Sequence, residues 1–178
     1  LCTGVRTEKG VVGYDLTRLF IGSEGTLGIF TKIIVRVLPL PERKETWLLT
    51  FTSLTDATGI VTKILSSGIT PCTMEYMDRT AVDLVRDHIS LDLAPATRAL
   101  ILLEIDGSEA EVDEQKERLV HYLEQHHIKY LYADDQKQYT AIWQARRSIS
   151  PASFTLKPDK ISEDIVVPRS RIPDLVSF

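Results

Sequence analysis

Ala99-Leu100-Ile101-Leu102-Leu103-Glu104-Ile105, running into Asp106-Gly107-Ser108-Glu109-Ala110-Glu111, decides the fold of this chain. The first stretch is apolar on both parities, with Glu104 as its one break. Successive side chains of a strand point to opposite faces. A strand apolar on both faces belongs in the middle of its sheet. Ser108 and Glu111 then stand at the spacing of a capping box. The helix they open is expected to run to about Gln125, with Val112, Leu119 and Leu123 on its apolar face. Glu114 and Arg118 form an i,i+4 pair on its solvent side.

Strands and helices alternate on either side of this unit. Upstream, Trp47 to Phe51 reads as a strand. Asp56 to Leu65 reads as a helix with Ile60, Val61, Ile64 and Leu65 on one face, stopped by Gly68. Thr73 to Met77 is a short strand and Thr80 to Asp87 a helix. Downstream, Ile128 to Tyr132 is a strand. Gln136 to Ile149 is a helix in which Trp143 joins Ile142 and Ile149 in the core, where its indole N–H needs a partner. Ile165-Val166-Val167 is expected to be a last short strand, and a helix starts at Ile172. The order predicts an α+β fold: a ferredoxin-like antiparallel sheet with helices on one face.

Before this region lies Pro39-Leu40-Pro41, then the charged Glu42-Arg43-Lys44-Glu45. Proline fixes φ and removes a donor, so a domain boundary is expected here, dividing residues 1–44 from 45–178. Residues 1–38 read as strands and loops, with Ile29 to Leu38 a strand on its β-branched content. They surround Gly22-Ser23-Glu24-Gly25-Thr26-Leu27-Gly28. Glycines here permit φ > 0 and close approach of a ligand, and N–H groups in such turns can cradle an anion. The run is no P-loop, since no Gly-Lys-Ser/Thr follows, and no Rossmann fingerprint, since no helix follows directly.

Composition narrows the function classes. At 43% apolar, 26% charged and a net charge of −4, the 178-residue chain is globular, and no basic stripe suggests nucleic acid. No apolar stretch approaches the roughly 20 residues of a membrane span. Cys2 and Cys72 make no disulfide framework, so a reduced, cytoplasmic setting is expected. His88, His121, His126 and His127 read as surface residues. Adjacent His126 and His127 diverge on a helix, and no cysteine or carboxylate cluster completes a metal set.

Gly13-Tyr14-Asp15-Leu16 followed by Gly22-Ser23-Glu24-Gly25-Thr26-Leu27-Gly28-Ile29 closely resembles a segment of the FAD-linked oxidases. That family includes the flavoprotein subunit of glycolate oxidase, D-lactate dehydrogenases and D-2-hydroxyglutarate dehydrogenase. Leu38 to Glu42 fits the same pattern. Ile142-Trp143-Gln144-Ala145-Arg146-Arg147 and Glu163-Asp164-Ile165-Val166-Val167-Pro168-Arg169 look like its cap domain, as do the strand ends Glu75-Tyr76-Met77-Asp78 and Glu104-Ile105-Asp106-Gly107.

The resemblance implies that Glu24, Gly25, Thr26, Leu27, Gly28 and Ile29 line FAD, mainly through backbone groups. Glu24 has the alternative of a buried acid satisfied by nearby N–H groups. Tyr14 and Asp15 are read as fold support, with Asp15 able to cap a turn. Arg146 matches the position that contacts the substrate carboxylate, a task suited to a guanidinium fork. Ser150, one turn on, adds a hydroxyl. The hydroxyglutarate-type enzymes place a lysine where Ser162 stands here, with Lys160 upstream, which leaves the 2-hydroxyacid open. The family's metal ligands and catalytic base fall beyond Phe178.

The chain therefore reads as the end of an FAD-binding domain plus most of a cap domain truncated at its C-terminus. In isolation it is expected to be inactive and colourless. The substrate would be a small 2-hydroxyacid, with an electron-transfer protein and a second copy of the chain as candidate partners. Two other readings stand beside this one. The first is the alkyl-glycerone-phosphate synthase branch of the same fold, which shares a Glu-Gly-Thr-Leu-Gly run. The second is a non-enzymatic ferredoxin-like binding module.

Overall fold

The central strand is where the sequence puts it. In the computed structural model, which describes residues 1–10, 12–86 and 91–177, β3 (Ala99–Gly107) is buried from Ala99 through Ile105. β1 (Arg43–Phe51) pairs antiparallel along one edge of β3, with Trp47 opposite Leu103. β2 (Thr73–Met77) pairs along the other edge, with Glu75 opposite Leu102. β4 (Lys129–Tyr132) completes the sheet on the far side of β1, giving the order β2-β3-β1-β4. Inner strands 1 and 3 flanked by 2 and 4 are the antiparallel ferredoxin-like arrangement expected from the sequence.

The helices form for local reasons. After α1 (Leu16–Phe20), described below, α2 (Leu54–Ser66) starts at Ser53, whose side chain accepts from the Asp56 N–H. It ends before Gly68, which takes φ +84°, the left-handed position that glycine fills at helix ends. α3 (Arg79–Val85) is capped by Asp78. α4 (Glu109–Gln125) carries both halves of the Ser108/Glu111 capping box. α5 (Gln136–Ser153) is capped by Asp135. A 3-10 turn at Arg169–Arg171 leads into α6 (Ile172–Ser177).

Strand alternation sorts the core into two layers. Trp47, Leu49, Phe51, Ile101, Leu103 and Ile105 face α2 and α4, meeting Ile60, Val61, Ile64, Val112, Leu119 and Leu123. Leu48, Leu100, Leu102 and Met77 face the other way, against Val82 of α3 and Ile142 of α5. The expected helical layer is thus α2 and α4. The opposite face is also covered, by α3 and α5, and this is why β3 is apolar on both parities.

Several local expectations are corrected. β1 starts at Arg43, because the charged residues before Trp47 pair with the end of β3. α5 extends past Ile149 to Ser153 and includes Pro151. Ile165-Val166-Val167 forms no strand, since among the described residues no neighbour pairs with either edge of this apolar run, and Ile165 and Val166 are exposed. The Asp87 end of the third helix and His88 lie outside the described residues.

The chain divides into two compact units, Leu1–Pro39 and Leu40–Phe178. In the first, residues before the glycine run form α1 rather than a strand, and Asp15 caps it by accepting from the Arg18 N–H at 3.1 Å. Phe20 and Phe30 meet edge to face. Ile29 to Leu38 is not a strand. Its β-branched residues favour one, but a strand needs a neighbour to bond, and none is present among the described residues of this unit. The Tyr14 side chain is exposed, and the residue's part in the fold is its backbone carbonyl, which accepts from the Leu16 N–H at 3.0 Å.

Two alanine variants check the two-layer arrangement. Leu103→Ala and Leu102→Ala each remove a fully buried side chain, from opposite faces. Each is expected to lower unfolding stability in urea by about 3 kcal/mol. A sheet covered on one face only would leave Leu102→Ala nearly silent.

Candidate functional site

α5 brings the polar chemistry to the sheet. Ala141, Ile142 and Ala145 are buried. Trp143, Arg146 and Ser150 follow at helical spacing beside them, so they share one side of the helix. Arg147 lies next to Trp143, its guanidinium 5.8 Å from the centre of the indole ring, and also borders a shallow groove lined by Thr140, Gln144, Ser148 and Pro151.

Glu104 is the pivot of this region. It is 1% exposed, the one buried acid of its strand. A buried charge is costly unless paired and hydrogen-bonded, and Glu104 is both. Its Oε1 accepts from Thr46 Oγ1 at 2.8 Å and from Trp143 Nε1 at 2.7 Å. Its Oε2 lies 3.5 Å from Lys44 Nζ. The indole N–H thus finds the partner that its burial demands. Burial alone would lower the Lys44 pKa, but the Glu104 charge, with smaller contributions from Cys72 and Tyr139, outweighs that and raises it.

Glu75 of β2 lies on the same face of the sheet as Glu104, and its Oε2 accepts from Arg146 Nε at 2.9 Å. Ser150 Oγ accepts from Lys160 Nζ at 2.9 Å, so a second cation stands beside the turn that follows Arg146. Arg146 and Ser150 are therefore brought to one side of one helix, as their spacing implies. Sequence reasoning named Glu75, Glu104 and Lys160 but assigned them no role. The readable signal was Glu104 itself, since a lone acid inside an apolar run must have partners.

The glycine run belongs to the other compact unit. Glu24 and Gly25 take φ +49° and +78°, and Thr26 N–H closes the turn onto Ser23 O at 2.9 Å. Positive φ at both central residues is the type I′ signature. Glu24 is exposed, so the alternative of a buried, N–H-satisfied acid is excluded. Gly25, Thr26, Leu27, Gly28 and Ile29 are also exposed, and a Cβ at Gly25 or Gly28 would meet nothing within 4 Å. Ser23 Oγ is buried without a hydrogen-bond partner. Open backbone donors beside an orphaned hydroxyl fit the polar part of a cofactor such as FAD, held through backbone groups. His121, His126 and His127 are exposed, as read from the sequence.

The fold defines the class: an α+β domain with a ferredoxin-like antiparallel sheet covered by helices on both faces. The match to the family described as FAD linked oxidases, C-terminal domain, covers residues 40–178, and the chain belongs to that family. It is 37% identical over 98% of its length to the glycolate oxidase subunit GlcD of Bacillus subtilis (strain 168), covering 37% of that protein. It is 30% identical over 97% of its length to the probable mitochondrial D-lactate dehydrogenase of Danio rerio, covering 35% of it. The chain thus spans little more than a third of these relatives. Among solved structures it matches an alkyldihydroxyacetonephosphate synthase at TM-score 0.61 and 21% identity, over 83% of this chain and 31% of that one. At that identity the likeness shows the fold alone. No helix among the described residues is long and apolar enough to cross a membrane.

Glu104→Leu leaves an indole N–H, a threonine hydroxyl and an ammonium without their acceptor, and is expected to cost about 3 kcal/mol in urea unfolding. Glu104→Gln keeps an oxygen for Thr46 and Trp143 and is expected to cost about 1 kcal/mol. Equal losses would contradict the hydrogen-bonding role.

Stability should also fall in alkali. Lys44 is raised as described, and Tyr76 is raised by burial and then by Asp78, its hydroxyl being buried without a partner. A raised pKa means that the folded chain keeps a proton that the unfolded chain has lost. Its contribution is whole below the unfolded value and lost as pH rises. Unfolding midpoints should therefore decline above about pH 10, and less steeply in Lys44→Met. A slope unchanged by that substitution would contradict the Lys44–Glu104 pairing.

Proposed function

We propose that this chain is part of a flavin-dependent 2-hydroxyacid dehydrogenase or oxidase of the glycolate or D-lactate type, and that Arg146 binds the substrate carboxylate. The observation that carries this reading is the state of Arg146. Its guanidinium is engaged at Nε, its side chain is 37% exposed, and Ser150 and Lys160 stand at the next turn. A planar fork beside a hydroxyl and an ammonium suits a small, singly or doubly charged hydroxyacid. The names of the relatives, glycolate oxidase subunit and D-lactate dehydrogenase, support the same substrate class.

Within this reading the chain's own residues bind and orient. Arg146 fixes the carboxylate end, and Ser150 or Lys160 meets a second polar group of the acid. Glu24, Gly25, Thr26, Leu27, Gly28 and Ile29 would hold FAD through backbone N–H groups, where bulky Cβ atoms are absent at Gly25 and Gly28. FAD, when bound, supplies the acceptance of hydride from C2 of the hydroxyacid, chemistry that belongs to the cofactor.

The test is steady-state dye reduction by the full-length protein that contains this chain, with glycolate and D-lactate as substrates. Arg146→Gln is expected to raise KM for the active acid at least tenfold, about 1.4 kcal/mol of carboxylate binding. Oxidation of neither acid, or an unchanged KM in the variant, would overturn the reading.

A further inference from the structure

The pairing of Arg146 is lopsided. Glu75 takes Nε, and among the described residues neither Nη1 nor Nη2 meets a protein acceptor. A guanidinium can grip a carboxylate side-on, through Nε and one Nη, or end-on, through both Nη atoms. With Nε held, the end-on edge is the one left for a ligand. Glu75 is fixed in turn by its place in β2, opposite Leu102 of the central strand. Three residues before Arg146, Trp143 is tied to Glu104 of that same strand. Two strand carboxylates on one sheet face therefore hold successive points on one side of α5. One sets the rotation of the helix through Trp143, and the other sets the orientation of the guanidinium.

We propose that Glu75 is a positioning residue for Arg146: it occupies Nε and so presents the Nη1/Nη2 edge to the carboxylate of the ligand. The inference rests on the reading of Arg146 as the carboxylate-binding group. Glu75 has a second consequence. Its charge offsets that of Arg146, so the pair presents directed donors with little net charge. Orientation, more than long-range attraction, then controls binding. Loss of Glu75 frees Nε and lets the flexible side chain sample other directions, which weakens binding although the local charge becomes more positive. That sign is the opposite of what charge alone predicts.

The experiment is a double-mutant cycle in the full-length protein, using Glu75→Gln, Arg146→Gln and the double variant, with KM and kcat measured for the 2-hydroxyacid that it oxidises. Flavin absorbance and the thermal midpoint of each variant report folding. Glu75→Gln is expected to raise KM about fivefold with kcat within twofold, and to add less than twofold in the Arg146→Gln background. A purely structural role for Glu75 would lower kcat and thermal stability together and would persist in that background. That result, or a KM that is unchanged or lower in Glu75→Gln while Arg146→Gln raises it, overturns the positioning role and leaves the carboxylate reading intact. An unchanged KM in Arg146→Gln overturns both. If Glu75→Gln fails to fold, Glu75→Asp serves, because it keeps the charge but draws the acceptor back. It is expected to show the same KM increase, and wild-type KM there overturns the proposal.

Discussion

A carboxylate removed from water must find partners, and in this domain Glu104 gathers them. It sits on the central strand, where the apolar run that builds the core gives way to charged residues. Thr46 comes from the neighbouring strand β1, Lys44 from the same strand, and Trp143 from the covering helix α5. The net worth of such a pairing is modest, since desolvation offsets much of the attraction. Its effect is geometric: few placements of α5 satisfy the indole N–H and the buried acid together. Since α5 also carries Arg146 and Ser150, the constraint that locates the helix locates the polar side chains on it.

The same face shows how the sheet divides its labour. Toward β2's end and α3, Leu100, Leu102 and Met77 pack against Val82 in an apolar cluster. Toward the start of β1, Lys44, Thr46, Glu104 and Glu75 replace the apolar residues. The change from apolar to polar along one face, with the β1–β3 pairing unbroken, leaves α5 anchored by packing at Ile142 and by hydrogen bonds at Trp143 and Arg146. The other face, under α2 and α4, keeps an apolar core from Phe51 to Ile105.

Much of this was legible in the sequence because it is local. The two-faced apolar strand, the Ser108/Glu111 capping box, the Gly68 stop and the Asp15 cap each depend on residues a few positions apart. What was missed depends on neighbours. Ile29 to Leu38 and Ile165 to Val167 have strand composition, but a strand exists only where another can bond it. Helical cover on the second face could be inferred only by asking why Leu100 and Leu102 were apolar as well as Ile101 and Leu103. Arg146 and Ser150 were found by resemblance, whereas Glu75 lies 71 residues from Arg146, a separation that no local pattern spans. Membership in the FAD-linked oxidase family gives these residues a context, and the glycine turn at Glu24 and Gly25 adds exposed backbone suited to a cofactor.

The central claim is that strand carboxylates aim a helix-borne arginine at a carboxylate ligand. The most direct measurement is a crystal structure of the full-length protein with its hydroxyacid, or with an unreactive carboxylate analogue. The account predicts ligand oxygens within hydrogen-bond distance of Arg146 Nη1 and Nη2, with Nε still on Glu75 and Trp143 still on Glu104. A ligand carboxylate bound away from Arg146, or gripping it through Nε with Glu75 displaced, would contradict it.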